Sequence, residues 1–132
     1  MKVMLDTNIC IYIIKQRPQS VLARFRAFQV GDIGISTITL AELDYGAMKS
    51  ARPRQNRDSL KEFVAPLDVA SFDIAASEAY GEIRAALEKS GRPIGVMDLL
   101  IAAHALSLNA RLATNNEREF KRVRGLRIEN WI

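Results

Sequence analysis

The chain has one cysteine and one histidine in 132 residues, and each scarcity closes a route. A lone Cys10 excludes an internal disulfide and suits a reducing compartment. It lies within the apolar run Ile9–Ile14 and reads as a small buried hydrophobe on the first helix. Cys10 and His104 together fall short of the four protein ligands of a structural zinc site. A single histidine also excludes metal-free hydrolysis in which one imidazole is the base and a second is the acid. His104 sits among alanines in an apolar stretch, where a structural role is expected. No apolar run reaches the roughly 20 residues that a membrane helix needs. Lys2 leads straight to Asp6 without a signal-peptide pattern, so a cytoplasmic protein is expected. No repeat, low-complexity tract or long linker splits the chain, and residues 1–132 read as one domain.

What is present is a balanced, basic globular composition. The chain is 48% hydrophobic and 26% charged, with a formal net charge of +4 and a pI near 9.5. That charge favours a polyanionic partner. Strand and helix signals alternate. Lys2–Leu5 reads as a strand, Asp6-Thr7-Asn8 as capping residues, and Ile9–Ile14 as helical. Pro18 suits the start of a second helix, and Ile33–Ser36 a second strand, with Thr37 or Thr39 capping the helix of Leu40, Leu43 and Ala47. Pro53 opens another helix before the strand-like Leu67–Val69, and Asp73 caps a helix stopped by Gly91. Leu99–Leu108 is apolar nearly all round and predicts a buried helix ending at a left-handed Asn109. Arg111–Thr114 predicts a fourth strand, Asn115–Phe120 a loop or short helix, and Leu126–Ile128 a last strand. Strands separated by helices imply an α/β protein, a three-layer α/β/α sandwich around a mostly parallel central sheet. In such sheets ligands bind beyond the carboxyl ends of the strands.

Three carboxylates stand out against this frame. Asp6 closes the first apolar run, Glu42 sits inside Thr39–Leu43, and Asp98 opens the run Leu99–Leu108. Ionised carboxylates among residues that favour burial are costly unless they converge on a cation. Helix capping accounts for Asp6 or Asp98 singly, and a solvated helix face for Glu42, but three such placements together point to a metal site. Asp and Glu oxygens suit hard cations such as Mg²⁺ or Mn²⁺, which can activate water and relieve charge in phosphodiester hydrolysis.

In order along the chain, Met4-Leu5-Asp6-Thr7-Asn8, Ala41-Glu42-Leu43 with Tyr45-Gly46, Gly95-x-x-Asp98 before an apolar helix, and Thr114-Asn115-Asn116 before Glu119-Phe120 resemble the successive motifs of PIN-domain ribonucleases. Within that family the chain is most similar to VapC-type toxins of bacterial type II toxin–antitoxin pairs. The resemblance spans nearly the whole length, including the closing Glu129-Asn130-Trp131. It implies a Mg²⁺-dependent endoribonuclease in which Asp6, Asp98 and Glu42 hold the metal, Glu119 completes the catalytic set, and products carry a 3′-hydroxyl and a 5′-phosphate. Related chains often have Asp where this one has Asn116, which leaves Glu119 as the better fourth acid and Asn116 to orient water. Thr7, Asn8, Ser36 and Thr114 are candidates to support the acids or touch phosphate, with capping as their plainer role. A VapB-type antitoxin is the implied partner, with apolar residues Ile11, Ile14, Val21, Phe25, Phe28, Leu43 and Met48 as the candidate groove or as ordinary core. A homodimer is also implied, with higher assembly alongside the antitoxin. Trp131 and Ile132 either serve the dimer or pin the C-terminus.

Basic residues Arg52, Arg54, Arg57 and Lys61, with Lys49 before them, form one candidate phosphate-binding strip, and Arg118, Lys121, Arg122 and Arg124 another. RNA is the implied substrate, with a tRNA anticodon loop the form that the resemblance suggests. The alternatives are a DNA nuclease of the same chemistry, a phosphatase using Asp6, and a PIN-like RNA-binding module without catalysis. The phosphatase is weakened because Asn8 stands where its partner acid is needed.

Overall fold

Val3, Met4 and Leu5 form β1 (Val3–Leu5), the central strand, and all three are fully buried. The computed structural model describes residues 1–132. Around β1 run α1 (Thr7–Ile14), α2 (Gln19–Arg26), β2 (Ile33–Ser36), α3 (Thr37–Met48), α4 (Pro53–Val64) and β3 (Asp68–Ala70). The chain continues through α5 (Ile74–Lys89), α6 (Val96–Ser107), β4 (Arg111–Thr114), α7 (Glu117–Phe120) and β5 (Ile128–Asn130). The strands lie in the order β3-β2-β1-β4-β5, and every pairing is parallel.

Side chains that alternate across the sheet build two cores. Val3, Leu5, Ile33, Ile35 and Ala113 face one way, into a cluster with Ile9, Ile13, Val21, Leu22 and Leu60 of α1, α2 and α4. Met4 and Leu112 face the other way, among Leu87, Leu99, Ile101, Ala102, Ala105 and Phe120 of α5, α6 and α7. Helices on both faces leave no wet side, which is why the strands read as near-continuous apolar runs. Burying each large aliphatic side chain contributes about 1.5–3 kcal/mol. Gly34 is required where β2 meets β3, because a Cβ there would collide with the Asp68 carbonyl and the Met1 side chain.

Several boundaries differ from the sequence reading, each for a local reason. Ser36, not Thr37 or Thr39, caps α3, its Oγ accepting from the Ile38 amide at 3.0 Å. The third strand starts at Asp68, because the Leu67 amide is spent on a turn to the Val64 carbonyl at 2.8 Å. α6 begins at Val96, so Asp98 lies in its first turn rather than ahead of it; exposed Val96 and Met97 hide the start from an apolar-periodicity reading. The last strand is Ile128–Asn130, since Gly125 turns at φ +85° and Leu126 packs against the core cluster of Met4 and Leu112. Asp73, Gly91 and Asn109 act as expected: the first caps α5 and the other two adopt φ +71° and +53°. Trp131 is 1% exposed, stacks on Phe28 at 5.7 Å and donates its indole N–H to Glu129, so it pins the C-terminus. Ile132 is exposed.

Candidate active site

Asp6 follows the last residue of β1 and turns the chain into α1. Its backbone N–H donates to the Ala113 carbonyl at 3.1 Å, and the parallel pairing of β1 with β4 brings Thr114 alongside it. The carboxylate, 4% exposed, accepts from the Ile9 amide at 2.9 Å. Burial pushes its pKa above the ordinary value; the Thr114 hydroxyl and the Ile9 amide oppose the shift, and the charge of Glu42 adds to it. Asp6 is therefore both a helix cap and a member of a charged cluster.

The other acids arrive from separate segments at the same edge of the sheet. α3 leaves the end of β2 and carries the half-buried Glu42 in its second turn, where the Thr7 hydroxyl donates to Oε1 at 2.6 Å. α6 delivers Asp98, and the short α7 delivers Glu119. The Asn116 amide stands between these two, with Nδ2 at 3.4 Å from Asp98 Oδ2 and 3.3 Å from Glu119 Oε2. Asn116 is itself fixed by its backbone N–H donating to Thr114 Oγ1 at 2.9 Å. Thr114 thus touches both halves of the cluster. The Asp98 carboxyl is pushed up to about 6, first by burial, then by a hydrogen bond with the Glu119 carboxyl and the charges of Glu119, Asp6 and Glu42.

None of the four carboxylates is in an ion pair with Lys or Arg. All the side-chain donors around them are hydroxyls and one amide. An all-oxygen set with uncompensated negative charge fits a hard divalent cation and does not suit a soft one. As placed, no three His, Cys, Asp or Glu side chains form a ready-made ion cage. Like charges repel, and hydrogen bonds from Thr7 and Asn116 hold three of them in the meantime.

The remaining candidates divide. Thr7, Thr114 and Asn116 contact the acids directly. Asn8 is exposed and makes no side-chain hydrogen bond to them. Ser36 is fully buried, and besides capping α3 it meets His104 Nδ1 at 2.8 Å, so it is out of reach of a phosphate. His104 is 1% exposed. Burial holds its pKa below the ordinary value, opposed by the charge of Asp73 and the Ser71 backbone, although Nε2 makes no hydrogen bond of good geometry. Arg57 is held by both oxygens of Asp44 at 2.9 and 2.7 Å, and Arg122 donates to the Pro93 carbonyl at 2.9 Å. Arg54, Lys61, Arg118 and Lys121 are exposed and free of ion pairs, while Arg52 contacts only Gln55. Of the candidate groove residues, Val21 is buried core, Phe25 packs against Phe63 and Phe28 against Trp131, whereas Ile11, Ile14 and Leu43 line an open groove. Met48 is 50% exposed. One contact was missed: Asn115 Nδ2 donates to the Tyr12 hydroxyl at 3.0 Å and ties α1 to the end of β4. The available signal was a phenol on a largely buried helix, which needs a polar partner.

Comparison with known proteins places this geometry. The PIN domain family matches residues 3–126. A tRNA(fMet)-specific endonuclease VapC of Shigella flexneri is 50% identical over 131 residues, covering 99% of this chain and 98% of its own length. Ribonuclease VapC2 of Rickettsia felis is 46% identical, covering 97% and 96%. Among solved structures, the DNA-bound VapBC of Salmonella typhimurium superposes with a TM-score of 0.94 at 44% identity, over 100% of this chain and 99% of the other. VapBC2 of Rickettsia felis bound to a promoter DNA fragment gives 0.93 at 44% identity, with full coverage of both chains. By its match to the family and by end-to-end relatives at this identity, the chain belongs to the PIN-domain family and, within it, to the VapC ribonucleases.

Proposed function

We propose that this chain is a Mg²⁺-dependent endoribonuclease, the toxin of a VapBC-type pair, and that it cuts tRNA. The observation that carries the reading is the meeting of Asp6, Glu42, Asp98 and Glu119, from four distant segments, at the carboxyl edge of the sheet with no basic side chain to neutralise them. Asp6, Asp98 and Glu42 would hold the cation, Mg²⁺ or Mn²⁺, with Glu119 completing the set. When bound, the ion supplies Lewis-acid relief of phosphate charge and a more acidic water. Thr114 orients Asp6, Thr7 orients Glu42, and the Asn116 amide fixes the spacing of Asp98 and Glu119. Arg118 and Lys121, beside Glu119, are placed to take flanking phosphates, and Arg52, Arg54 and Lys61 to extend that contact along the strand.

The substrate class rests on the relatives, of which two at 50% and 44% identity are named tRNA(fMet)-specific endonucleases. The partner rests on the VapBC complexes and on the groove at Ile11, Ile14 and Leu43, which Glu42 also lines. Relatives matched from end to end support residues 1–132 acting as one domain. The same reading has it act in the cytoplasm with its RNA, as a homodimer that assembles further with the antitoxin; no helix is long and apolar enough to cross a membrane.

The test is cleavage of bacterial tRNA by the purified protein with Mg²⁺ or Mn²⁺. Wild type should cut and EDTA should stop it. Asp98→Asn should lose roughly a hundredfold or more in rate, since several kcal/mol of charge stabilisation go with the ligand. Asp98→Asn cutting at the wild-type rate would overturn the site.

A further inference from the structure

One aromatic side chain has no place in the interior of the fold. Of five Phe, three Tyr and one Trp, Tyr45 alone is exposed, at 66%. It packs into neither core cluster. A single exposed apolar residue is ordinary on any surface, so its position decides what it can do. Ile38, Glu42, Tyr45 and Lys49 follow one another at i, i+4, i+7 and i+11, which puts them on one stripe of α3 and its cap. Ile38 packs against the core cluster of Met4 and Leu112. Glu42 belongs to the acid cluster, bonded to Thr7 and acting by charge on Asp6 and Asp98. Tyr45 stands about 4.5 Å further along the helix axis. Lys49 closes the stripe, its Nζ 4.9 Å from the centroid of the Tyr45 ring.

The stripe therefore leads from a site carboxylate to an open ring and on to a cation. Lys49 is exposed and in no ion pair. The groove between α1, α3 and α4 takes Leu43, Gly46, Ala47 and Ser50 from other faces of α3, and Tyr45 does not line it. Unpaired bases stack on aromatic faces while cations follow the phosphates, and a ring beside an ammonium offers both within one nucleotide's reach. Met48, 50% exposed and three residues beyond Tyr45, would suit an apolar contact with a second copy of the chain. The free ammonium over the ring and the acid cluster one turn behind it favour the nucleotide.

Resting on the ribonuclease reading above, we propose that Tyr45 is the platform on which an unpaired base of the RNA stacks beside the phosphate to be cut, with Lys49 holding a neighbouring phosphate. The site then selects a loop or single-stranded segment, because a base already stacked in a duplex has no face to give the ring.

The experiment measures binding of fluorescent bacterial tRNA in the cleavage-deficient Asp98→Asn background, alone and with Tyr45→Ala, Tyr45→Phe or Lys49→Ala. Tyr45→Ala should weaken binding roughly tenfold. It should leave the slope of log affinity against log salt where it was, since no phosphate contact is lost. Lys49→Ala should make that slope shallower by about 0.7. Tyr45→Phe keeps the ring and should stay within about twofold of the background. On a short RNA duplex Tyr45→Ala should cost nothing. Oligomeric state is followed by sedimentation in parallel and should not change. Tyr45→Ala binding tRNA at background strength overturns this inference alone. An equal loss on tRNA and duplex also overturns it, and so does a loss that comes with a change of oligomeric state, which gives the ring to a contact between copies. Wild type failing to cut tRNA removes the ribonuclease reading together with this one.

Discussion

Four like charges share one small volume, and single side chains settle the terms on which they do so. Thr114 and the Ile9 amide partly offset the burial of Asp6, whereas burial and the neighbouring Glu119 carboxyl outweigh the amide that Asp98 shares with Glu119, and Asp98 rises to about 6. The ordinary value is 3.8, so between about pH 4 and pH 6 the native state holds a proton that the unfolded chain has released. Native stability without metal therefore falls as pH rises through that window, and above about 6 the penalty is present in full. Asp98 is only half-buried, so solvent screening reduces the effect. Asp98→Asn should melt roughly 2–4 °C above wild type at pH 7.5 in EDTA, and at the wild-type temperature at pH 4. Thermal scans at the two pH values check this, and equal melting at pH 7.5 would mean the Asp98 charge is not strained. Cation binding runs the other way: it needs the ionised acids and should strengthen as pH rises through about 6. Stability and function pull against each other at this residue.

The elements were legible in proportion to how local their signals are. β1, β2 and β4, the Asp73 cap and the left-handed stops at Gly91 and Asn109 follow from short stretches of sequence, and the structure has them. Asp6, Glu42 and Asp98 were legible as acids in apolar company. Glu119 rested on family resemblance, because a four-residue helix has no periodicity to read. What stayed hidden is non-local: Thr114 against Asp6, Asn115 on Tyr12, and Ser36 on His104 join residues far apart in sequence. The cap of α3 shows why this matters. Any of Ser36, Thr37 and Thr39 can cap, but Ser36 alone also meets a buried imidazole, and the choice is made by the contact of His104 on α6 with the end of β2. Ser36→Ala should therefore cost more than an ordinary cap. A lost cap is worth about 1 kcal/mol, and stranding His104 Nδ1 adds a further 1–3 kcal/mol or so. Urea unfolding should show a loss of about 2–3 kcal/mol, against about 1 kcal/mol for the exposed cap Asp73→Ala. Equal losses would remove the Ser36–His104 contact from the account.

Over the whole molecule, charge is divided rather than mixed. Four acids converge at one sheet edge in a protein of net charge +4, so the rest of the surface is more basic than that figure implies. The basic residues are not equivalent in how free they are. Arg57 is spent on Asp44, Arg122 on the Pro93 carbonyl, and Arg24 and Arg111 on Glu129, whereas Arg118 and Lys121 are exposed and unpaired beside Glu119. A phosphate contact releases counterions, and for single-stranded nucleic acid each contributes about −0.7 to the slope of log affinity against log salt. Binding measured in the cleavage-deficient Asp98→Asn background with a fluorescent tRNA, across roughly 50 to 300 mM KCl, separates the two groups. Replacing Arg118 and Lys121 by Ala should make the slope shallower by about 1.4. Arg57→Ala should leave the slope near its wild-type value, because that guanidinium already faces a carboxylate. If Arg57→Ala shifts the slope as much as a change at Arg118 does, the Asp44 pair opens on binding, and the strip at Arg52, Arg54 and Lys61 carries the RNA instead.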